Sequence, residues 1–263
     1  MRPMLAVARK EIEVYFTTPI AYVMLAVIAF FGAQFFNGAL DAYRFLALRA
    51  SAFAPEAAAG LNLTDRVVVP LFGSVAVFLV IVSPFLTMRL VAEEKRTRTL
   101  ELLLTVPARP VSIVLGKWLA VLAVVVVALL VVALFPAVLV VAGRGAGGGA
   151  AVEWQTVATG LLGLFLLAMM STAIGLFFSS LTESVIVSAL LSLVLLLALW
   201  AVTLFAIGVE GPGRDIAAAL SSSERLNGFL QGRIALADVV YYLSFTVLGL
   251  FLTERAVEAH RWA

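Results

Sequence analysis

The chain has 263 residues, of which 63% are hydrophobic and 13% charged, with a mean hydropathy of +1.11. Soluble domains carry roughly a quarter charged residues, so these proportions exclude a soluble globular protein and leave an integral membrane one. The formal charge of +2 and pI near 9.1 come from basic residues clustered beside apolar runs, which bears on membrane orientation and not on nucleic-acid binding. Cysteine is absent, which removes disulfide and thiol chemistry.

Residues 2–18 come first. Leu5, Ala8, Ile12, Tyr15 and Phe16 recur at helical spacing while Arg2, Arg9, Lys10 and Glu13 take the other face. That pattern predicts a helix lying in the membrane interface, with a short solvated tail as the alternative. The interleaved charges exclude a secretory signal. Pro19 makes a joint into the first of six apolar spans, 19–40, 67–87, 111–142, 154–179, 184–209 and 234–252, each about as long as or longer than the roughly 20 residues needed to cross a bilayer core of about 30 Å. The third is long enough to tilt, with Lys117 and Trp118 near one interface and Pro136 a kink near the other end. The sixth starts near Asp238, with Tyr241 and Tyr242 close to a headgroup boundary. Between spans, 41–66 is a modest loop and the glycine-rich 143–149 a flexible connector. The 210–233 segment opens with Gly211-Pro-Gly213, and its middle, 215–230, reads as a short helix or a re-entrant pair.

Six spans put both termini on one side. That side holds eleven of the eighteen basic residues and all three lysines, Lys10, Lys95 and Lys117, which assigns it to the cytoplasm. A five-span reading would reverse the C-terminus.

Segment 88–110 then lies in the cytoplasm and carries a dense cluster of charge. With no proline or glycine from Phe85 to Thr105, the second span is expected to continue as a helix out of the bilayer until Val106-Pro107 stops it. Pro110 restarts a helix at its first turn. The Glu94 to Arg98 spacing adds only about 0.2–0.5 kcal/mol, so the charge density exceeds what helix stability requires. Leu100, Leu103 and Leu104 add an apolar stripe. Physics alone leaves two readings, a solvated positive-inside loop and a docking site.

The run Leu90-Val-Ala-Glu-Glu-Lys-Arg-Thr-Arg-Thr-Leu-Glu-Leu-Leu-Leu-Thr-Val-Pro107, followed by Val114-Leu-Gly-Lys-Trp118, resembles the signature of ABC-2 type transporter permeases, closest to the gliding-motility-associated branch. Tyr15-Phe-Thr-Thr-Pro-Ile-Ala-Tyr22, Ala173-Ile-Gly-Leu-Phe-Phe-Ser-Ser-Leu-Thr182, Asp238-Val-Val-Tyr-Tyr-Leu-Ser244 and Glu258-Ala-His-Arg-Trp262 agree with it. The resemblance implies an all-α membrane domain with an N-terminal interfacial elbow helix, six transmembrane helices and a cytoplasmic coupling helix between spans two and three. It also implies a second permease copy, identical or related, and a separate ABC ATP-binding subunit that holds ATP and Mg. Glu93, Glu94, Lys95, Arg96, Thr99 and Glu101 match the coupling-helix positions. The turn with Leu181, Thr182 and Glu183 is either a second cytoplasmic contact or an ordinary tight turn. The chain departs from the family pattern at Arg98, where relatives commonly carry glycine and the helix can break.

No phosphate-binding loop of the Gly-x-x-x-x-Gly-Lys-[Ser/Thr] type occurs, since Trp118 follows Gly116-Lys117 and Val111 stands where the first glycine is needed. ATP hydrolysis is therefore expected of the partner, and no cofactor or metal of this chain. Two other classes fit less well. An ATP-independent secondary transporter or channel keeps ionisable groups within its spans, and here Asp238 alone qualifies, at a position better read as a helix end. Gln34 and Asn37 read as packing or interface groups. An intramembrane hydrolase needs a base beside its serine, and the sole histidine, His260, falls in the tail. Apolar spans suit a lipid-like cargo and equally suit contact with membrane lipid. Family resemblance points to the bacterial inner membrane, outward transport and an envelope or periplasmic partner.

Overall fold

In hydrocarbon every backbone N–H and C=O must find a partner within its own segment, so long apolar runs become helices. The computed structural model describes residues 2–53, 62–99, 109–145, 152–205 and 212–259, and among these it contains helices and no strand. In chain order they are α1 (Arg2–Thr17), α2 (Pro19–Phe53), α3 (Val69–Thr87), α4 (Ala92–Arg96), α5 (Pro110–Gly145), α6 (Trp154–Leu181), α7 (Val185–Phe205), α8 (Pro212–Leu220), α9 (Ser222–Leu230) and α10 (Leu236–Ala259). A single π-helical stretch, Thr64–Val68, leads into α3. Six of these elements, α2, α3, α5, α6, α7 and α10, are long and apolar enough to cross a membrane. Several expected features fall outside the described residues: Glu101, the leucines at 100, 103 and 104, the Val106-Pro107 stop, the glycines at 147–149, the end of the fifth span at 206–209 and His260.

The six long helices follow the six apolar runs, with shifted ends. The first extends 13 residues past 40, to Phe53, because nothing from Ala39 onward breaks a helix; at about 1.5 Å per residue its 35 residues run to roughly 52 Å. Helix α5 passes through Pro136 without interruption. Helix α6 is the centre of the bundle, packed against α3, α5, α7, α9 and α10. Its small residues let neighbours approach: a side chain at Gly163 would start 2.6 Å from Phe229, and one at Gly160 would start 2.5 Å from Phe72. Large apolar side chains of α2, α7 and α10 such as Phe30, Leu190 and Val247 stay exposed, as lipid-facing positions do.

The strands of chain between spans define two ends. The distal end carries α8 and α9, which settle the 215–230 segment as a helical pair. Ser221 caps α9 by accepting the Glu224 N–H at 3.3 Å. The hydroxyls of Tyr241 and Tyr242 donate to the carbonyls of Leu220 (2.7 Å) and Ser222 (2.8 Å), and Arg225 pairs with Asp238 at 2.9 Å. Asp238 is thus a helix-end carboxylate, as expected. Leu226 and Phe229 reach along α6 to Gly163, about 13 Å in from Trp154. The proximal end carries α1, α4, the turn after α6 and the end of α10.

Candidate functional site

The site at the proximal end begins where α3 stops. Pro84 has no N–H for the Val80 carbonyl, and the Ser83 hydroxyl approaches that carbonyl instead, at 3.4 Å. Thr87 donates to the Ser83 carbonyl at 3.0 Å. The chain then leaves the helix, and groups from distant segments satisfy the backbone it exposes. The Tyr15 hydroxyl of α1 donates to the Leu86 carbonyl at 2.5 Å, and burial pushes this phenol's pKa far up. The Ser179 hydroxyl donates to the Met88 carbonyl at 2.9 Å and accepts the N–H groups of Val91 and Ala92, both at 3.1 Å. One side chain at the end of α6 therefore both closes the turn and caps α4, from 87 residues away in sequence.

This overturns the expectation of an unbroken helix from Phe85 to Thr105. Helix α4 is five residues long and separated from α3 by a turn. Beyond it, Arg98 adopts φ +56°, the left-handed region, so the break falls at the position where the family pattern favours glycine even though arginine stands there. Local propensity allowed a rod; tertiary hydrogen bonds from Ser179 and Tyr15 made the fold-back cheaper than continuing it.

Charge on α4 is divided by direction. Glu93 and Glu94 occupy its first turn and Lys95 and Arg96 its last, matching the helix dipole. Glu93 forms a two-pronged pair with Arg89 at 2.7 and 3.0 Å, and this hydrogen bond holds its carboxyl below the usual range. Glu94 turns inward, where the Lys117 ammonium contacts it at 2.7 Å and Glu11 of α1 at 2.9 Å. Lys117 is only 2% exposed, so this is a buried charge cluster joining α1, α4 and α5, with Lys10 at its edge 3.5 Å from Glu11. Lys95 also turns inward and donates to the Ser180 carbonyl; burial lowers its pKa against the opposing field of Glu183. Arg96, Thr97, Arg98 and Thr99 are exposed.

Of the expected contact residues, Glu93, Glu94, Lys95, Arg96 and Thr99 are brought onto this one structure, and Glu101 lies outside the described residues. Leu181 and Glu183 are exposed beside it, and Thr182 accepts the Ser184 N–H at 3.1 Å. The Lys95 to Ser180 bond joins the two expected contacts into one patch. Lys117 and Trp118, expected near one interface, lie in the first turns of α5 and are both buried: Lys117 is the hub of the charge cluster, and Trp118 donates to Thr172 at 3.2 Å within the bundle. Gly116 explains the preceding residue of that motif: a side chain there would start 2.7 Å from the Met4 carbonyl oxygen, so only glycine lets α1 lie against α5. The bonds made by Glu11, Tyr15 and Ser179 have no local sequence signal, because each acts on a segment far away in sequence. A cavity of about 570 Å³ separates α1 from the turn, walled by Tyr15, Phe85 and Leu90 and rimmed by Lys10, Arg89 and Glu93.

Six membrane-length helices, one of them a central small-residue helix, define a multi-pass membrane protein, here with a charged helix pinned at one end of the bundle. The sequence model of the ABC-2 family transporter proteins matches residues 5–254, and the chain belongs to that family. No curated protein matches it. Proteins of the family are generally permeases that work with an ABC ATP-binding subunit.

Proposed function

We propose that the chain is the permease subunit of an ATP-driven transporter, that its proximal end with both termini faces the cytoplasm of a bacterial inner membrane, and that α4 is a coupling helix gripped by a separate ATP-binding subunit. The observation that carries the reading is the attachment of α4. Ser179 and Ser180 tie it to α6, Lys117 to α5, and Glu11 through Lys117 to α1. The Lys117 and Lys95 bonds are charge-assisted, at about 1.5–3 kcal/mol each, and the neutral Ser179 bonds contribute about 0.5–1.5 kcal/mol each, so a push on α4 moves several helices before it breaks the contacts.

In this mechanism ATP and Mg bind the partner subunit and close it. The motion displaces α4 together with α1, an elbow helix whose Leu5 and Val14 face outward while Ala8 and Tyr15 are buried. Helices α5 and α6 then tilt and open a path between this permease and a second copy, identical or related. Glu94 and Lys95 hold α4 to the bundle, while Arg96, Thr99 and the Leu181 to Glu183 turn meet the partner, with Glu93 beside them and Glu101 a further contact position implied by the family pattern. Work on a cell-envelope partner, as in the gliding-motility-associated branch, fits the same device. An ion-driven alternative would rest on Asp238, which Arg225 already occupies.

The test replaces Glu94→Gln and Arg96→Gln together in the assembled transporter. Stimulation of ATP hydrolysis by the permease should fall while membrane insertion and yield persist. Unchanged stimulation refutes the lever.

A further inference from the structure

We infer that Arg96 and Arg98 form a cationic recognition face that selects an ATP-binding subunit with a carboxylate-lined groove, and that Arg98 is retained in a strained backbone for this purpose. The inference rests on the docking role proposed for α4 and deepens it. Three of the charged groups of the segment are spent within the chain: Glu93 on Arg89, Glu94 on Lys117, and Lys95 on the Ser180 carbonyl. Arg96 and Arg98 are not spent in this way, although Arg96 adds to the field on Glu93. Both are exposed, and among the described residues no ion pair involves either. Glu183, the carboxylate exposed on the neighbouring turn, acts on Lys95. The outward face of α4 is therefore positive even though the segment as a whole is mixed in charge, and a sequence count of charges could not show this.

The backbone at Arg98 supplies the second observation. A left-handed conformation at φ +56° is disfavoured for a residue with a Cβ and open to glycine. Glycine there would relieve strain and lose only the side chain. An exposed arginine held in such a conformation, with no ion-pair partner among the described residues, leaves its guanidinium open to a carboxylate of a second protein. Guanidinium groups pair with carboxylates in a two-pronged geometry that lysine cannot reproduce, so the surface it meets is acidic and shaped for arginine.

The experiment uses the full-length permease in detergent or nanodiscs and the purified ATP-binding subunit of the same transporter, with association and stimulated ATP hydrolysis measured from 50 to 500 mM KCl. Three variants are compared with the parent: Arg98→Gly, Arg98→Lys and Arg96→Gln. Arg98→Gly should raise the thermal stability of the permease and weaken association about tenfold at low salt, two effects of opposite sign that a purely structural residue would not give. Arg98→Lys should recover part of that loss, and the difference between parent and variants should shrink as salt rises. Parental affinity in Arg98→Gly and Arg96→Gln, with association indifferent to salt, overturns the cationic face while leaving the docking role of α4 standing. Failure of the parent itself to bind the ATP-binding subunit overturns both.

Discussion

Removing the Lys117 ammonium leaves Glu11 and Glu94 facing each other in a buried site. Lys117→Met should therefore destabilise the protein by about 3–5 kcal/mol, the usual consequence of breaking a buried pair from one side. Replacing the whole cluster, Lys117→Met with Glu11→Leu and Glu94→Leu, should restore most of that stability, since an apolar cluster of similar volume is often neutral. If the cluster transmits motion, the triple variant stays folded with weakened coupling to the ATP-binding subunit; thermal unfolding beside stimulated hydrolysis separates the two. Ser179→Ala strips a partner from the carbonyl of Met88 and the N–H groups of Val91 and Ala92. It should cost about 1–3 kcal/mol, and faster amide exchange at Val91 and Ala92 would register the loss of the cap.

Helix α4 is too short to persist alone: five residues fix barely one turn, and nucleation is unfavourable. Its stability is borrowed from contacts, some of which titrate. Glu93 has its carboxyl pKa lowered by the Arg89 hydrogen bond, so the pair contributes stability that is present above the unfolded value near 4.3 and is lost as pH falls through the lower folded value. Glu93→Gln should flatten this acid limb of the thermal stability profile and leave stability near pH 7 to 8 only slightly changed, because the pair is largely exposed. At the distal end, α9 leans on Gly163 of α6 through Leu226 and Phe229. Gly163→Leu drives a side chain into Phe229 and should detach α9. The chain has no cysteine, so a single cysteine placed at Phe229 reports the change: protected in the parent, labelled by thiol reagents in the Gly163→Leu background.

Across the whole molecule, the two ends of the bundle must sit on opposite sides of the membrane. Cysteines at Arg96 and Leu181 should be modified only from the cytoplasmic side by an impermeant reagent, and one at Ile216 only from the other. Labelling of the first two from outside would remove the orientation on which the coupling role depends. The spans were legible in the sequence because hydrocarbon imposes one requirement on all of them: about 20 apolar residues with their backbone satisfied locally. The charged segment at 88–110 was legible for the converse reason, since charges interrupting apolar runs must lie outside. Its shape was not. Nothing near Phe85 predicts that Tyr15 and Ser179 will take its backbone partners, or that Glu94 will turn inward to Lys117.

Composition and hydropathy by themselves determined that this is a helical membrane protein with six helices long and apolar enough to cross and a polar segment between the second and third, and motif resemblance gave the family that the match over residues 5–254 bears out. The tertiary structure decided which charges are consumed and which are presented. Transfer out of water acts on each residue where it stands and can be summed along the chain, whereas the Lys117 cluster and the Ser179 cap exist only when segments 87 to 106 positions apart are brought together.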